Sequence, residues 1–160
     1  MIRRDDPLLR ETISPKQIQQ HWGDAMKNMT ADSVGRARRN LKDMGTNNAL
    51  KLRDAGMKIV LGSDTGQTRF FIAWMGQLEF ENWVWMGLTP MQAIVAATRD
   101  SAEAAHWNTG LIAAGRNADF VVLNANPLDD ITNSRRIDRV YLRGGEVDRA
   151  GLRAKWQARW

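Results

Sequence analysis

Residues 57–66, Met-Lys-Ile-Val-Leu-Gly-Ser-Asp-Thr-Gly, join an apolar run to a cluster of small and polar residues. A short apolar run without alternation is typical of a strand buried on both faces of a parallel sheet. Because α/β proteins place reacting groups just past such strands, Asp64 is the candidate for an acid–base or ligand carboxylate. Asp and Ser are also preferred helix N-caps, so the pattern fits a capped helix start equally well.

Other chemistry-bearing side chains lack partners at a diagnostic spacing. The two histidines, His21 and His106, form neither His-x-His nor His-Glu-x-x-His, and there is no cysteine, so no local motif assembles a metal site. A lone helical His such as His21 is more often structural than a ligand. Glu79 and Glu81 stand two apart, on different sides of a predicted helix, where they could orient a neighbouring site but not act as a facing pair.

Two helix starts share a Ser/Thr-Pro-x-Gln pattern, at Ser14 and at Thr89. The hydroxyl residue caps the helix, proline suits the first position, and glutamine completes a capping box. Further helices are predicted from Thr30 or Asp32 to about Met44, over 49–55, and over about 75–86. The last of these is expected to turn Leu78, Val84 and Trp85 inward. Residues 1–13 are expected to be an irregular lead-in.

The hydrophobic period changes from helical to strand-like near residue 106, which predicts a domain boundary there. Short strands are predicted at 111–112, 118–124 and 140–147, separated by glycines and by Asn-Pro. Before this boundary, residues 94, 97, 98 and 102 form a face of mostly small side chains suited to close helix packing. Residues 149–160 are expected to be a helix or a frayed tail.

Composition restricts the function classes. Apolar residues make up 43% of the 160, which is enough for a sizeable core, and the formal net charge is +5. Because acidic residues interleave with the dispersed basic ones, nucleic-acid binding through the basic tail is the weakest of the functions considered. The sequence shows no signal peptide and no run suited to a spanning helix, so a cytoplasmic location without a membrane partner is expected.

Several segments, in a fixed order, resemble the closing part of the amidohydrolase superfamily, with most similarity to its imidazolonepropionase and Xaa-Pro dipeptidase-like branch. These segments are Gly62-Ser-Asp-Thr-Gly66, Leu78-Glu-Phe-Glu81, Met86-Gly-Leu-Thr-Pro-Met-Gln-Ala-Ile94, Ala96-Ala-Thr98, Gly110-Leu-Ile-Ala-Ala-Gly115, Ala118-Asp-Phe-Val-Val-Leu123, Asn126-Pro-Leu-Asp-Asp-Ile131 and Val140-Tyr-Leu-Arg-Gly144. The resemblance runs from about residue 48 to 149.

The resemblance implies an α/β fold, the last part of a TIM-type (β/α)8 barrel followed by strands of a small β-sandwich. By this analogy 57–62 is the eighth barrel strand. The implied division is a partial barrel over 1–105, sandwich strands over 106–149 and a basic tail over 150–160. Gln77 stands where many relatives carry a histidine, which is expected to alter substrate contacts or the surroundings of the site.

The resemblance also implies the chemistry. The family aspartate after the eighth strand matches Asp64, so Asp64 is the expected catalytic residue and metal ligand. The expected cofactor is a divalent metal, zinc above all, and the expected reaction is hydrolysis of a C–N bond in an amide or peptide-like small molecule by metal-activated water.

The family's other ligands, a His-x-His, a Lys or Glu and further histidines, have no match in this sequence. One carboxylate cannot hold a catalytic zinc, which takes three protein ligands. We therefore expect a C-terminal fragment that is inactive alone, completed by an N-terminal half. The alternative is a non-catalytic interaction protein with the same remnant fold, which forms a homo-oligomer.

Overall fold

A computed structural model describes residues 6–26, 31–44, 48–63 and 74–158 of the chain. The α-helices of these ranges are α1 (Pro7–Thr12), α2 (Pro15–Met26), α3 (Ala31–Met44), α4 (Leu50–Asp54), α5 (Trp74–Met86), α6 (Pro90–Val95), α7 (Ser101–Ala104) and α8 (Arg149–Gln157). The strands are β1 (Phe120–Leu123), β2 (Ile137–Leu142) and β3 (Gly145–Glu146). A π-helix (Ala96–Asp100) joins α6 to α7, and a 3-10 helix (Ile131–Arg135) precedes β2. None of the helices in this part of the chain has the length and hydropathy to cross a membrane.

Both predicted capping boxes are confirmed. The Thr89 hydroxyl accepts from the amide of Gln92, whose side chain accepts from the amide of Thr89. Ser14 and Gln17 make the same reciprocal pair at 3.2 and 3.3 Å. Each box satisfies two N–H groups that have no partner within the helix, and this fixes where α2 and α6 begin.

The expectation of an irregular lead-in is wrong for residues 7–12, which form α1. Asp6 caps this helix by accepting from the amide of Leu8 at 2.9 Å, and Pro7 occupies the first position. Leu9 is fully buried against Trp74 and Leu78 of α5. The helix is therefore set by a local cap and one buried leucine, although the segment is too short to show a periodic apolar face.

Helix α5 is the centre of the core and confirms the prediction for 75–86. Leu78 is buried, but Trp83 faces the interior in place of the predicted Trp85, which is 37% exposed. Trp83 packs with Leu88, Ala93 and Ala96 of the next helical segment. Gly87 ends the helix with a φ of +119°, as its predicted role as a terminator requires.

The predicted buried strand at 57–62 is wrong within the described residues. Residues 57–63 have no strand pairing there, and Met57 and Val60 are 56% and 41% exposed. Ile59 and Leu61 do pack against the cluster around Trp83. The apolar run therefore buries one side only, because a strand buried on both faces needs neighbouring strands to cover it.

The small-residue face after residue 90 is shifted from the predicted positions. Ala93, Ala96 and Ala102 are buried, whereas Thr98 is exposed. The π-helix adds a residue to the turn and so changes which positions face the core. Gly110, with a φ of +86°, packs directly on this segment.

The sheet follows the predicted change of period. β1 pairs antiparallel with β2, with Phe120 opposite Tyr141, and their rings stack at a centroid distance of 4.5 Å. The prediction of a strand at 140–147 needs correction, because Arg143 and Gly144, both with positive φ, form a two-residue hairpin between β2 and β3. The prediction of a strand at 111–112 is wrong: Ile112 is 89% exposed and pairs with no described strand.

The described part of the chain is thus a set of helices followed by a three-stranded antiparallel sheet in the order β1-β2-β3. The parallel barrel strand expected at 57–62 is not among its strands. The C-terminal segment is helical, as one of the two expectations held, over Arg149–Gln157.

Candidate functional site

The predicted site residue, Asp64, lies outside the described residues, so its catalytic and metal-binding roles stay predictions. The structure does describe the segment that leads to it, 57–63, and the helix that follows the loop, α5. The geometry of the candidate site is therefore the geometry of this approach.

Two consecutive backbone amides hold the segment 57–63 against the helices. The amide of Leu61 donates to the hydroxyl of Ser101 at 3.0 Å, and the amide of Gly62 donates to Oε1 of Glu79 at 3.1 Å. These side chains take the place of the carbonyl groups that a neighbouring strand would offer. The backbone two residues before Asp64 is consequently fixed by α5 and α7.

Ser101 is positioned by the π-helix. Its hydroxyl donates to the carbonyl of Ala96, five residues earlier, at 2.7 Å while it accepts from Leu61. The hydroxyl thus uses both of its hydrogen-bonding capacities between the helix and the segment. No pattern in the sequence pointed to this residue, because the contact joins positions 40 residues apart.

Glu79 is half-buried beside Gly62. Burial raises the pKa of its carboxyl group above 4.5, and the hydrogen bond from the Gly62 amide lowers it in part. Oε2 is buried and has no hydrogen-bond partner among the described residues. The sequence suggested that Glu79 could orient a neighbouring site, and its bond to Gly62 has the direction that such a role needs.

Glu81 faces a different partner, as the two-residue spacing from Glu79 predicted. It accepts from Nε of Arg135 at 2.6 Å, and Arg135 also forms an ion pair with Asp6. Asp6 accepts in turn from the indole of Trp74 at 2.7 Å, over which the Arg135 guanidinium lies at 5.6 Å. This charge cluster ties α1, α5 and the 3-10 helix together and lies apart from Gly62 in its contacts.

Gln77, the position where relatives often carry histidine, accepts from the hydroxyl of Ser134 at 2.7 Å. This bond also joins α5 to the 3-10 helix. His106 is exposed with a φ of +56° just after α7, and the side chain of His21 lies outside the described part of the chain.

The described residues do not fit a metal ion by themselves. No group of three or more His, Cys, Asp or Glu side chains among them is arranged to hold one. Catalytic zinc needs three protein ligands and an open position, so within residues 6–26, 31–44, 48–63 and 74–158 no metal chemistry can be derived.

The basic C-terminal helix makes internal contacts. Arg149 and Arg153 both reach Glu11, at 3.4 and 2.7 Å, and the indole of Trp156 donates to the carbonyl of Thr12 at 3.0 Å. These contacts dock α8 beside α1 and partly neutralise two of the charges that would attract nucleic acid.

The comparisons with known proteins were then made. The model of the amidohydrolase family matches residues 13–147. No curated protein matches the chain. Similar solved structures include molinate hydrolase, with 33% identity and a TM-score of 0.54 over 66% of this chain and 27% of that one. Phenylurea hydrolase B has 28% identity and a TM-score of 0.55 over 87% of this chain and 32% of that one.

A Xaa-Pro dipeptidase with bound methionine shares the fold, with 21% identity and a TM-score of 0.58 over 82% of this chain and 32% of that one. The chain therefore spans about a third or less of these structures. Their fold is related to the TIM barrel, and the family is generally metal-dependent and hydrolytic. Since the family model covers most of the sequence, this chain belongs to the amidohydrolase family.

Proposed function

We propose that this chain is the C-terminal part of a metal-dependent amidohydrolase, to whose catalytic centre it contributes Asp64. The remaining ligands come from a further segment of polypeptide. The branch of the family is that of the imidazolonepropionases and Xaa-Pro dipeptidases, and the reaction is hydrolysis of a C–N bond in a small amide or peptide-like molecule.

One observation carries the proposal. The family model matches 13–147, yet the chain spans 27% of molinate hydrolase and 32% of phenylurea hydrolase B. By their names these relatives are hydrolases, and a similar prolidase structure holds N-methylphosphonate-L-proline. A chain with this family assignment and this share of its relatives' length fits one part of a divided hydrolase.

In the proposed centre Asp64 is a metal ligand and proton acceptor. A carboxylate beside a divalent cation stays ionised at neutral pH, which both functions require. Zinc is the expected ion, and its chemistry belongs to the complete assembly. The isolated chain is inactive in this proposal.

A second function, a non-catalytic protein that associates through its surface, has one observation in its favour. Large apolar side chains are exposed at 57 and 60 on the site segment and at 107, 112 and 142 elsewhere. Apolar patches of this kind mark association surfaces. Homo-oligomers would cover them without any metal or substrate.

The test begins with the genome that encodes this chain. We expect a reading frame carrying the His-x-His of the family, and co-expression of its product with the 160-residue chain. A stable complex that binds zinc or manganese and hydrolyses small amides or dipeptides supports the proposal. A genome with no such frame, or a metal-free homo-oligomer without turnover in its presence, contradicts the proposal and favours the second function.

A further inference from the structure

The backbone that precedes Asp64 is held at two neighbouring amides by side chains from two different helices. Ser101 accepts from Leu61, and Glu79 accepts from Gly62. In an extended chain successive N–H groups point in opposite directions. The segment is therefore fixed from both sides, with Glu79 bound to the residue nearer Asp64.

Glu79 is well placed to control the loop that carries Asp64. It lies on α5, which begins at Trp74 directly after that loop, and its bond to Gly62 spans 17 positions in the sequence. The bond thus joins the residue before the loop to the helix after it. Closing a loop in this way lowers the entropy of the residues within it.

The acceptor is a side chain chosen at some energetic cost. Glu79 is half-buried, and its Oε2 has no partner among the described residues. A buried carboxylate oxygen without a donor costs free energy that a glutamine or an apolar residue would avoid. A residue that served packing alone would not need the oxygen that meets Gly62.

We propose that Glu79 is a positioning residue for Asp64: by accepting the Gly62 amide it fixes the point from which the Asp64 carboxylate is presented to the substrate. This inference rests on the proposed function, since it assigns Glu79 a role through Asp64. A displacement of about 1 Å at a reacting group can cost about a hundredfold in rate.

The first experiment uses the full chain without a metal or partner. Amide hydrogen exchange at Gly62, measured by NMR, is compared in wild type, Glu79→Ala, Glu79→Gln and Glu103→Gln. Glu103 is the matched control, because it meets the same segment through an exposed ion pair with Lys58. The Ser101 bond to Leu61 remains in every variant and keeps the segment in place.

We expect exchange at Gly62 to be about tenfold faster in Glu79→Ala, the loss expected for a hydrogen bond to a charged group. Glu79→Gln keeps an acceptor oxygen and is expected to stay within about twofold of wild type, given that same bond strength. Glu103→Gln is expected to leave Gly62 unchanged. Unchanged exchange at Gly62 in Glu79→Ala would overturn the inference, whatever the fate of the proposed function.

The second experiment measures turnover in the co-expressed assembly. Glu79→Ala is expected to lower kcat by about a hundredfold with little change in KM, and Glu79→Gln to restore most of it. If exchange accelerates while kcat is unaltered, Glu79 is structural only and the inference fails. If Asp64→Asn leaves turnover unaltered, the proposed function fails and the positioning role with it, although the exchange result would still show the bond.

Discussion

At the scale of single residues, two glutamates attached to the same segment illustrate opposite electrostatic environments. Burial raises the pKa of Glu79, whereas the hydrogen bond and charge of Lys58 lower the pKa of Glu103. Both shifts start from 4.5. The sign of each shift decides how stability changes with pH.

Glu79→Gln is expected to gain stability relative to wild type as the pH rises from about 4 to 7. Between 4.5 and its raised pKa, Glu79 binds more protons in the folded chain than in the unfolded chain, so its contribution to stability falls as the pH rises. Glutamine has no charge to desolvate. Urea unfolding of both proteins at several pH values measures the difference.

Glu103→Gln is the matched control and is expected to change in the opposite direction. The lowered pKa of Glu103 stabilises the folded chain above 4.5, and that contribution is lost as the pH falls. The effect is screened by salt because the pair with Lys58 is exposed. Parallel pH profiles for the two variants would contradict these environments.

Arg135→Gln is expected to destabilise the chain by about 3 kcal/mol, because it leaves Asp6 and Glu81 in a partly buried site without their cation. Thermal unfolding followed by circular dichroism measures the loss. Arg139→Gln serves as the control, since Arg139 is 56% exposed and its pairs with Asp138 and Glu146 are at the surface. Equal Tm values for the two variants would show that the cluster around Arg135 contributes nothing.

At the scale of elements, Gly110 is the clearest close approach between the helices and the strand region. An added Cβ would lie 2.6 Å from the carbonyl oxygen of Thr98 and 2.7 Å from the Cβ of Ala102. Gly115 has a similar positive φ, but nothing lies within 4 Å of an added Cβ. The two glycines therefore separate backbone strain from steric contact.

Gly115→Ala is expected to cost about 1 kcal/mol, the penalty for a left-handed L-residue. Gly110→Ala pays the same penalty and also displaces the π-helix, so it is expected to cost at least about 2 kcal/mol more, as overpacked sites do. Denaturant unfolding gives both values. Equal losses would mean that Gly110 is retained for its φ alone.

The elements that the sequence predicted correctly are those set by neighbouring residues. The starts of α2 and α6 follow from Ser14 with Gln17 and Thr89 with Gln92, and Gly87 ends α5. The strand at 57–62 was not predictable in this way, because strand pairing depends on distant partners. The bonds from Leu61 to Ser101 and from Gly62 to Glu79 join residues 40 and 17 positions apart, and no local pattern shows them.

The candidate site divides along the same line. Asp64 follows from its place after an apolar run and from the family resemblance, and the possible orienting role of Glu79 from its position on a helix. Which backbone group Glu79 binds depends on the tertiary packing of α5 against 57–63. The π-helix that aims Ser101 also shifts the buried face to Ala93 and Ala96, and helical periodicity assumes that no such residue is inserted.

At the scale of the whole molecule, the chain combines a family assignment over 13–147 with a surface that leaves large apolar side chains exposed. Met57 and Val60 lie on the segment that precedes Asp64, while Ile59 and Leu61 are held by the core. In the proposed assembly the further segment covers the exposed side and brings the missing ligands to Asp64. In the alternative, copies of the chain cover one another.

The most direct measurement is the metal-dependent kcat of the co-expressed assembly with wild-type chain, Asp64→Asn and Asp54→Asn. Asp54 is an exposed carboxylate paired with Arg53 on α4 and serves as the control. We predict a loss of about a thousandfold for Asp64→Asn, as for removal of an acid–base group, and little change for Asp54→Asn. Equal turnover in the three assemblies would contradict the assignment of Asp64 to the catalytic centre.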